Sequence, residues 1–300
     1  HNIDLLYGYN KRIYNAKFEI PKLIQHKNFT YISNTFVQNI KKNKNKYLII
    51  TKNKKFKNIR FNKVIISAGT IGSTILVDRI RNLSEKYRVF HTPALKIIYY
   101  SFLLPFKISN KIRFSLALLK LNIHIQKDKF CGSFMQLNNI SNSFFGVSKL
   151  NFFFTYLKKF FFVGNIFLPP TFSNTFIEIK KKKISIYSKE IFDKENIKNK
   201  LRKIINPYFK KFNLKEFFSQ NLKFLDNGSD AHYTSTLINK KINGKNIINK
   251  SCELKNFKNI YVIDGSSIKE GLYYPNYFLM MYVRYIAKKI IKNEKNKNKY

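Results

Sequence analysis

The C-terminal part of the chain places three patterns in an order that restricts its fold. His232 lies in a polar segment rich in Ser and Thr. An apolar strand pattern follows and ends in Asp264-Gly265-Ser266. From Pro275 onward the apolar residues have helical spacing, and proline is tolerated in the first turn of a helix. This order predicts a strand, a tight turn and a long closing helix, followed by a polar tail over residues 293–300.

A second strand-and-turn pattern lies nearer the N terminus. Short apolar segments between residues 31 and 66 alternate with Lys/Asn turns, which predicts a β-meander. The last segment has the apolar centre of a buried parallel strand and leads into Ala68, Gly69 and a helix through about Arg81. A small-residue turn between strand and helix lets the backbone approach a phosphate. The chain has no G-x-G-x-x-G motif, so ordinary α/β packing is the alternative for this turn.

The middle of the chain gives few clear periods, but one hairpin and one helix can be predicted. Residues 175–189 alternate apolar and polar positions, which predicts a hairpin that turns at 180–183. Residues 189–218 have helical spacing, and Pro207 is expected to break that helix. The predicted fold class is therefore α/β, of a mixed α+β kind.

The net charge of +41 raises the question of an anionic partner. The lysines are spread along the whole chain together with Asn, Ile, Phe and Tyr, and these are residues with AT-rich codons. We therefore attribute the charge to genome composition and predict no specific nucleic-acid partner. A basic protein that binds RNA or a membrane surface stays an alternative.

Cysteine content and hydropathy bear on the compartment. Cys131 and Cys252 alone cannot build a disulfide framework or a zinc site, which favours a reducing environment. No apolar run reaches the ~20 residues that span a bilayer. A cytoplasmic protein is predicted, with peripheral contact at the inner membrane face as an alternative. No metal site is predicted. Because the chain starts at His1, we expect it to be a fragment.

Three groups near the C terminus fit the chemistry of alcohol oxidation by a flavin. A neutral histidine such as His232 can accept the hydroxyl proton near neutral pH. An asparagine such as Asn276 can hold the oxygen so that the hydride points at the ring. A helix that opens at about Tyr277 can stabilise the negative charge of a reduced flavin through its free N–H groups.

The same residues resemble the C-terminal portion of the glucose-methanol-choline (GMC) oxidoreductases. The similarity is greatest over about residues 227–291. It includes His232 in an H-x-x-G-T-like segment, where Ser235 replaces the glycine. It also includes a strand of the N-L-x-V-x-D-x-S type and the segment around Asn276, where the order is Pro-Asn instead of Asn-Pro. The family's N-terminal FAD-binding βαβ unit has no counterpart here and would lie before His1.

The resemblance implies a cofactor, FAD, and a set of residues that serve it. His232 and Asn276 would be catalytic. The residues that would bind the cofactor are Val37, Ala68, Gly69, Asp264, Gly265, Asn276 and Tyr277. The substrate would be an alcohol, a sugar or a choline-like donor, and the electron acceptor is unknown.

The resemblance also implies a domain organisation. Residues 1–85 would be the remainder of an incomplete Rossmann-like FAD-binding domain, with the β-meander and the returning strand, turn and helix. Residues 86–220 would form an antiparallel-sheet substrate domain, and residues 221–292 would return to the FAD domain. The predicted function is that of an FAD-dependent oxidoreductase acting on CH–OH groups. A truncated or inactive GMC-like protein is the alternative within the same family.

Overall fold

The computed structural model describes residues 16–52, 59–103, 119–136, 160–180, 183–189, 191–217, 222–226, 232–269 and 275–297. The fold is mixed α/β, with several antiparallel sheets and few helices. Contacts divide the chain into two units. Unit 1 comprises His1–Tyr31, Pro93–Pro169 and Phe192–Ser229, and unit 2 comprises Ile32–Thr92, Pro170–Ile191 and Asp230–Tyr300.

The described strands are β1 Val37–Asn43, β2 Lys46–Thr51, β3 Arg60–Phe61, β4 Val64–Ile66, β5 Lys86–Val89, β6 Ala94–Tyr100, β7 Leu119–Ile125, β8 Asp128–Gln136, β9 Phe161–Phe167, β10 Thr175–Lys180, β11 Lys183–Ser188, β12 Lys215–Glu216, β13 Lys223–Phe224, β14 Lys241–Ile242, β15 Lys245–Asn246 and β16 Ile260–Val262. The described α-helices are α1 Ile20–Ile24, α2 Gly69–Arg81, α3 Lys194–Lys211 and α4 Pro275–Lys297, and 3₁₀ turns cover Ala16–Phe18, Pro170–Phe172 and Gly265–Ser267. None of these helices combines the length and the apolar content that crossing a bilayer requires.

Unit 1 is built on one antiparallel sheet with the strand order β12-β6-β9-β8-β7, and β13 also pairs with β6. Helix α3 begins where the Asp193 carboxylate accepts a hydrogen bond of 3.0 Å from the Asn196 N–H. Its apolar stripe is buried. The ring of Phe209 lies 4.6 Å from the rings of both Tyr99 and Phe134. An aromatic core therefore joins helix and sheet.

The prediction that Pro207 breaks this helix is wrong, because α3 continues to Lys211. Proline in a helix interior costs roughly 3 kcal/mol. Phe209 lies beyond the proline and is 4 % exposed. Burying such a side chain stabilises by roughly 1.5–3 kcal/mol, and the aromatic pairs add to this, so packing offsets much of the local penalty.

Unit 2 contains two antiparallel sheets, β1-β2-β3 and β11-β10-β5, a short β14-β15 hairpin and the parallel pair β16-β4. The predicted meander, the hairpin of residues 175–189 and the helix ending at Arg81 are confirmed. The core of this unit is mainly aliphatic and includes Ile66, Val77, Ile177 and Val262. The parallel strand expected before Ala68 is β4, and its partner is β16.

The hairpin β10-β11 belongs to unit 2, because β10 pairs with β5. The predicted domain boundaries stay predictions. The expected tail over residues 293–300 is helical as far as Lys297, since α4 extends that far.

Candidate functional site

The two parallel strands of unit 2 end at the same edge. Val64 pairs with Ile260 and Ile66 pairs with Val262, so the chain leaves both strands side by side. The Ile263 N–H donates to the Ile66 carbonyl at 2.9 Å, and the Ser67 hydroxyl donates to the Ile263 carbonyl at 2.9 Å. In parallel sheets the carboxyl ends of strands are where ligands bind.

The turn after β16 is held by one carboxylate. Asp264 is the N-cap of the 3₁₀ turn Gly265–Ser267 and accepts from the Ser266 N–H at 2.9 Å and from the Ser266 hydroxyl at 2.6 Å. Its second oxygen accepts from the Ser73 hydroxyl of α2 at 2.5 Å. Asp264 is 5 % exposed, and buried carboxylates need such donors. The side chain therefore ties the turn to the first part of α2.

Position 265 requires glycine, because two neighbouring segments lie very close to it. A Cβ there would lie 2.4 Å from the Thr70 Oγ1 atom and 2.9 Å from the Tyr233 carbonyl oxygen. The Thr70 hydroxyl donates to that same carbonyl at 2.6 Å. The missing side chain lets three segments meet: the turn after β16, the start of α2 and the chain around Tyr233.

Backbone hydrogen bonds hold the segment that carries His232 from two directions. The Thr234 N–H donates to the Phe90 carbonyl at 2.8 Å, and the Ser235 N–H donates to the Gly265 carbonyl at 2.8 Å. His232 itself is partly buried. Its Nδ1 lies 3.4 Å from the Thr92 Oγ1. In the tautomer whose Nδ1–H donates to Thr92, Nε2 is the basic nitrogen of the ring.

The N-terminus of α2 lies at the same edge. No side chain caps this helix, and the Ala68 N–H donates to the Ser73 hydroxyl at 3.0 Å. Gly69 has a φ of +76°, and a Cβ at this position would meet no atom within 4 Å. Uncapped N–H groups and an unobstructed glycine form a surface that suits a negatively charged group.

These elements surround a cavity of about 380 Å³. It is lined by the start of α2 from Ala68 to Gly72, by the segment from His232 to Thr234, by Asp264, Gly265 and Ile268, and by Leu279 of α4. Small-molecule sites have volumes of roughly 300–1,000 Å³, so the cavity is large enough for part of an organic ligand.

Helix α4 is attached to this region by a buried contact. Tyr282 donates to the Ser267 carbonyl at 3.2 Å, and its oxygen lies 2.8 Å from the Cys252 Sγ. Because a hydroxyl has one hydrogen, the Cys252 thiol is the donor to Tyr282. Burial raises the pKa of Cys252, which keeps the thiol protonated for this role. Ile263, Ile286 and Cys252 complete the cluster.

The structure brings five of the predicted site residues to the cavity, namely His232, Ala68, Gly69, Asp264 and Gly265. Val37 lies elsewhere: it opens β1 next to a β-bulge and packs against the core. Asn276 and Tyr277 belong to α4, but their side chains lie outside the described residues. The functional roles of all these residues stay predictions.

The residues of this region that sequence reasoning missed include Thr70, Thr92 and Leu279. Thr70 lies in the small-residue turn that was singled out, so its position was a signal. Thr92 contacts a residue 140 positions away, and no local pattern indicates that pairing. Within the described ranges, no three His, Cys, Asp or Glu side chains group as metal ligands.

Comparisons with known proteins add little to this geometry. No protein-family model matches the chain, and no curated protein matches it. Among solved structures, the chain is similar to tetracycline destructase Tet(51), with 10 % sequence identity and a TM-score of 0.24. The match covers 78 % of this chain and 45 % of that one, so the chain spans less than half the length of the structure it matches. A TM-score this low does not establish a shared fold.

Proposed function

We propose that this chain is part of a GMC-like, FAD-dependent oxidoreductase that oxidises the CH–OH group of an alcohol, a sugar or a choline-like donor. One observation supports it most. His232, the N-terminus of α2 and the Asp264-Gly265 turn line one cavity at the carboxyl ends of two parallel strands. A basic side chain and an anion-stabilising helix end in one cavity are what such an oxidation needs.

The residues at the cavity fit a flavin nucleotide. The first turn of α2 offers backbone N–H groups without a side-chain cap, and Gly69 leaves open space beside them. A phosphate or the negatively charged edge of a reduced ring would be stabilised there. The strand, turn and helix from β4 to α2, with β16 parallel to β4, support the interpretation of unit 2 as part of a Rossmann-like FAD-binding domain.

His232 has the role of proton acceptor in this proposal. A bound flavin supplies the acceptor for the hydride that leaves the alcohol carbon. The hydroxyl proton goes to His232 Nε2, so the C–H and O–H bonds break and a carbonyl product forms. Thr92 contacts the imidazole at Nδ1, and in the tautomer whose Nδ1–H donates to the Thr92 hydroxyl, Nε2 is free to accept the proton. Asn276 would hold the substrate oxygen, a role that comes from the GMC resemblance.

Asp264 and Gly265 are proposed to act through the backbone. The Asp264 oxygens accept three hydrogen bonds from Ser73 and Ser266. This carboxylate therefore shapes the wall of the cavity next to the cofactor, while Gly265 allows the wall to approach α2. The unknown electron acceptor would reoxidise the flavin in a second half-reaction.

The test follows reduction of the bound flavin without any electron acceptor. The protein is purified at its full natural length with FAD, and bleaching of the visible flavin absorbance is recorded anaerobically with a panel of alcohols, sugars and choline. His232→Ala is expected to slow bleaching by ~10²–10⁴-fold, the usual contribution of a positioned base. FAD content should be unchanged, because the proposed role of the imidazole is proton transfer.

A matched variant controls for the loss of a histidine. His124→Ala removes an exposed imidazole from β7 of unit 1 and should leave the bleaching rate as it was. Full-speed reduction in His232→Ala would remove His232 from the mechanism. A full-length protein that binds no flavin would overturn the proposed function as a whole.

A further inference from the structure

The outer face of α4 is apolar over its first described turns. Phe278, Met281 and Tyr285 are spaced by three and four residues and therefore lie on one side of the helix. They are 46 %, 56 % and 55 % exposed. Met280 is 49 % exposed but lies about 100° around the helix from Met281, outside this stripe. The opposite side of α4 carries Ile286 and Ile290, which are buried in unit 2.

The same face becomes basic toward the C-terminal end of the helix. Lys288, Lys289 and Lys292 continue the exposed stripe, and the Lys289 ammonium lies 4.6 Å from the centre of the Tyr285 ring. Among the described side chains of α4 (278–294), Glu294 is the single carboxylate, and it forms an ion pair with Lys63. The exposed face thus combines an apolar half with an excess of cations.

We propose that this outer face of α4 docks on the surface of an anionic lipid bilayer. At a rise of 1.5 Å per residue, the stripe from Phe278 to Lys292 is about 21 Å long, so the helix would lie in the plane of the membrane. Phe278, Met281 and Tyr285 enter the boundary between headgroups and acyl chains. The lysines of the other half meet the phosphate headgroups, which is the arrangement of an interfacial helix.

The apolar half of the stripe favours lipid over RNA as the partner. An RNA phosphate backbone would attract the lysines equally well. It offers no apolar volume for Phe278 and Met281, whereas the acyl boundary of a bilayer does. This inference does not depend on the flavin or on His232, so its test is independent of the proposed function.

A single tryptophan reports on insertion, because the natural sequence contains none. Met281→Trp places the indole in the stripe, and Ile186→Trp places it on β11, where Ile186 is 51 % exposed. Vesicles of phosphatidylcholine alone are compared with vesicles of three parts phosphatidylcholine to one part phosphatidylglycerol. With the anionic vesicles we expect a blue shift and quenching by brominated lipid for Met281→Trp only. Equal responses of the two reporters, or none from either, would overturn the proposal.

The charge contribution is tested with two triple variants of equal net charge. Lys288, Lys289 and Lys292 are changed to Gln in one, and the exposed Lys41, Lys42 and Lys46 of the β1-β2 hairpin are changed to Gln in the other. The first should weaken vesicle binding on the order of 10- to 100-fold, because each lysine near an anionic surface contributes. The second should weaken it far less. Equal losses, or retention of single-stranded RNA without binding to vesicles, would contradict a lipid-docking face.

Discussion

The two units of this protein are stabilised in different ways around their central sheets. In unit 1 the rings of Tyr99, Phe134 and Phe209 lie 4.6 to 5.9 Å apart and join the sheet to α3. In unit 2 serine hydroxyls donate hydrogen bonds to the Ile263 carbonyl and to the Asp264 carboxylate, and these bonds join the segments that follow β4 and β16. One unit shows an aromatic core, and the other shows a polar network beside a cavity.

This difference between the two units indicates which kind of structure can hold a reactive site. Apolar packing is not directional and fills space. Hydrogen bonds are directional, and a network of them can hold loops in place while leaving an open cleft next to them. The residues that could perform chemistry in unit 2 lie on turns that such a network holds.

Removing one ring from the aromatic core of unit 1 should cause the largest loss of stability. Phe209→Ala leaves a cavity against Tyr99 and Phe134 and should lower the free energy of unfolding by about 3–5 kcal/mol. Phe212→Ala is the matched control, because Phe212 is 56 % exposed at the end of the same helix. It should cost less than about 0.5 kcal/mol. Urea denaturation measures both, and similar losses would contradict the assignment of Phe209 to the core.

A smaller loss of stability is expected in unit 2, where the turn after β16 lies close to α2. Gly265→Ala forces a Cβ against Thr70 and the Tyr233 carbonyl and should cost about 2–3 kcal/mol, since overpacking moves the backbone. Gly244→Ala is the control: its φ is +72°, but a Cβ would meet open space, so only strain of about 1 kcal/mol is expected. Unfolding in urea compares the two. Equal costs would show that the turn tolerates a side chain.

The smallest losses of stability should come from removing the hydroxyls of two buried tyrosines, one in each unit. The Tyr87 hydroxyl donates to the Asp78 carboxylate of unit 2 at 2.8 Å, and the Tyr99 hydroxyl donates to the Asn206 amide oxygen of unit 1 at 2.7 Å. Hydrogen bonds to charged groups are stronger, so Tyr87→Phe should cost about 1.5–2 kcal/mol and Tyr99→Phe about 1 kcal/mol. The reverse order would show that Asp78 is satisfied by its other donors.

The same tyrosines predict a loss of stability at alkaline pH. Burial, followed by the nearby Asp78, raises the pKa of Tyr87 above its ordinary value of 10.0. Burial, followed by Glu216, raises the pKa of Tyr99 above the same value. A raised folded pKa means that the stabilisation is present below about pH 10 and is lost as pH rises above it. Urea unfolding across this range should show a smaller decline in each Phe variant than in the natural protein.

Much of the local structure could be predicted, because short windows contain its causes. Alternation of apolar and polar residues predicted the hairpin β10-β11, and small residues after an apolar strand predicted the start of α2. The helix break at Pro207 was a wrong prediction, because the local rule for proline takes no account of the burial of Phe209. The extent of α4 was underestimated, because a polar composition alone predicted the tail.

Less of the candidate site could be predicted. His232 and the Asp264-Gly265 turn were found from the order of motifs along the chain. The contact between His232 and Thr92 and the hydrogen bond from Ser73 to Asp264 are long-range. The position of Val37 away from the cavity also depends on tertiary packing. The pairing of β10 with β5 also joins segments that are distant along the chain.

The sequence by itself determined the β-meander, the hairpin β10-β11 and the start of α2, and it showed which side chains could take part in chemistry, because periodicity and turn chemistry act over a few residues. The tertiary structure decided which of those segments meet. Ser67 and Ile263 are 196 positions apart, and Thr70 and Tyr233 are 163 apart, yet both pairs form hydrogen bonds at the edge of the cavity. Such pairs form only when burial of the surrounding apolar residues offsets the entropy of ordering the chain between them.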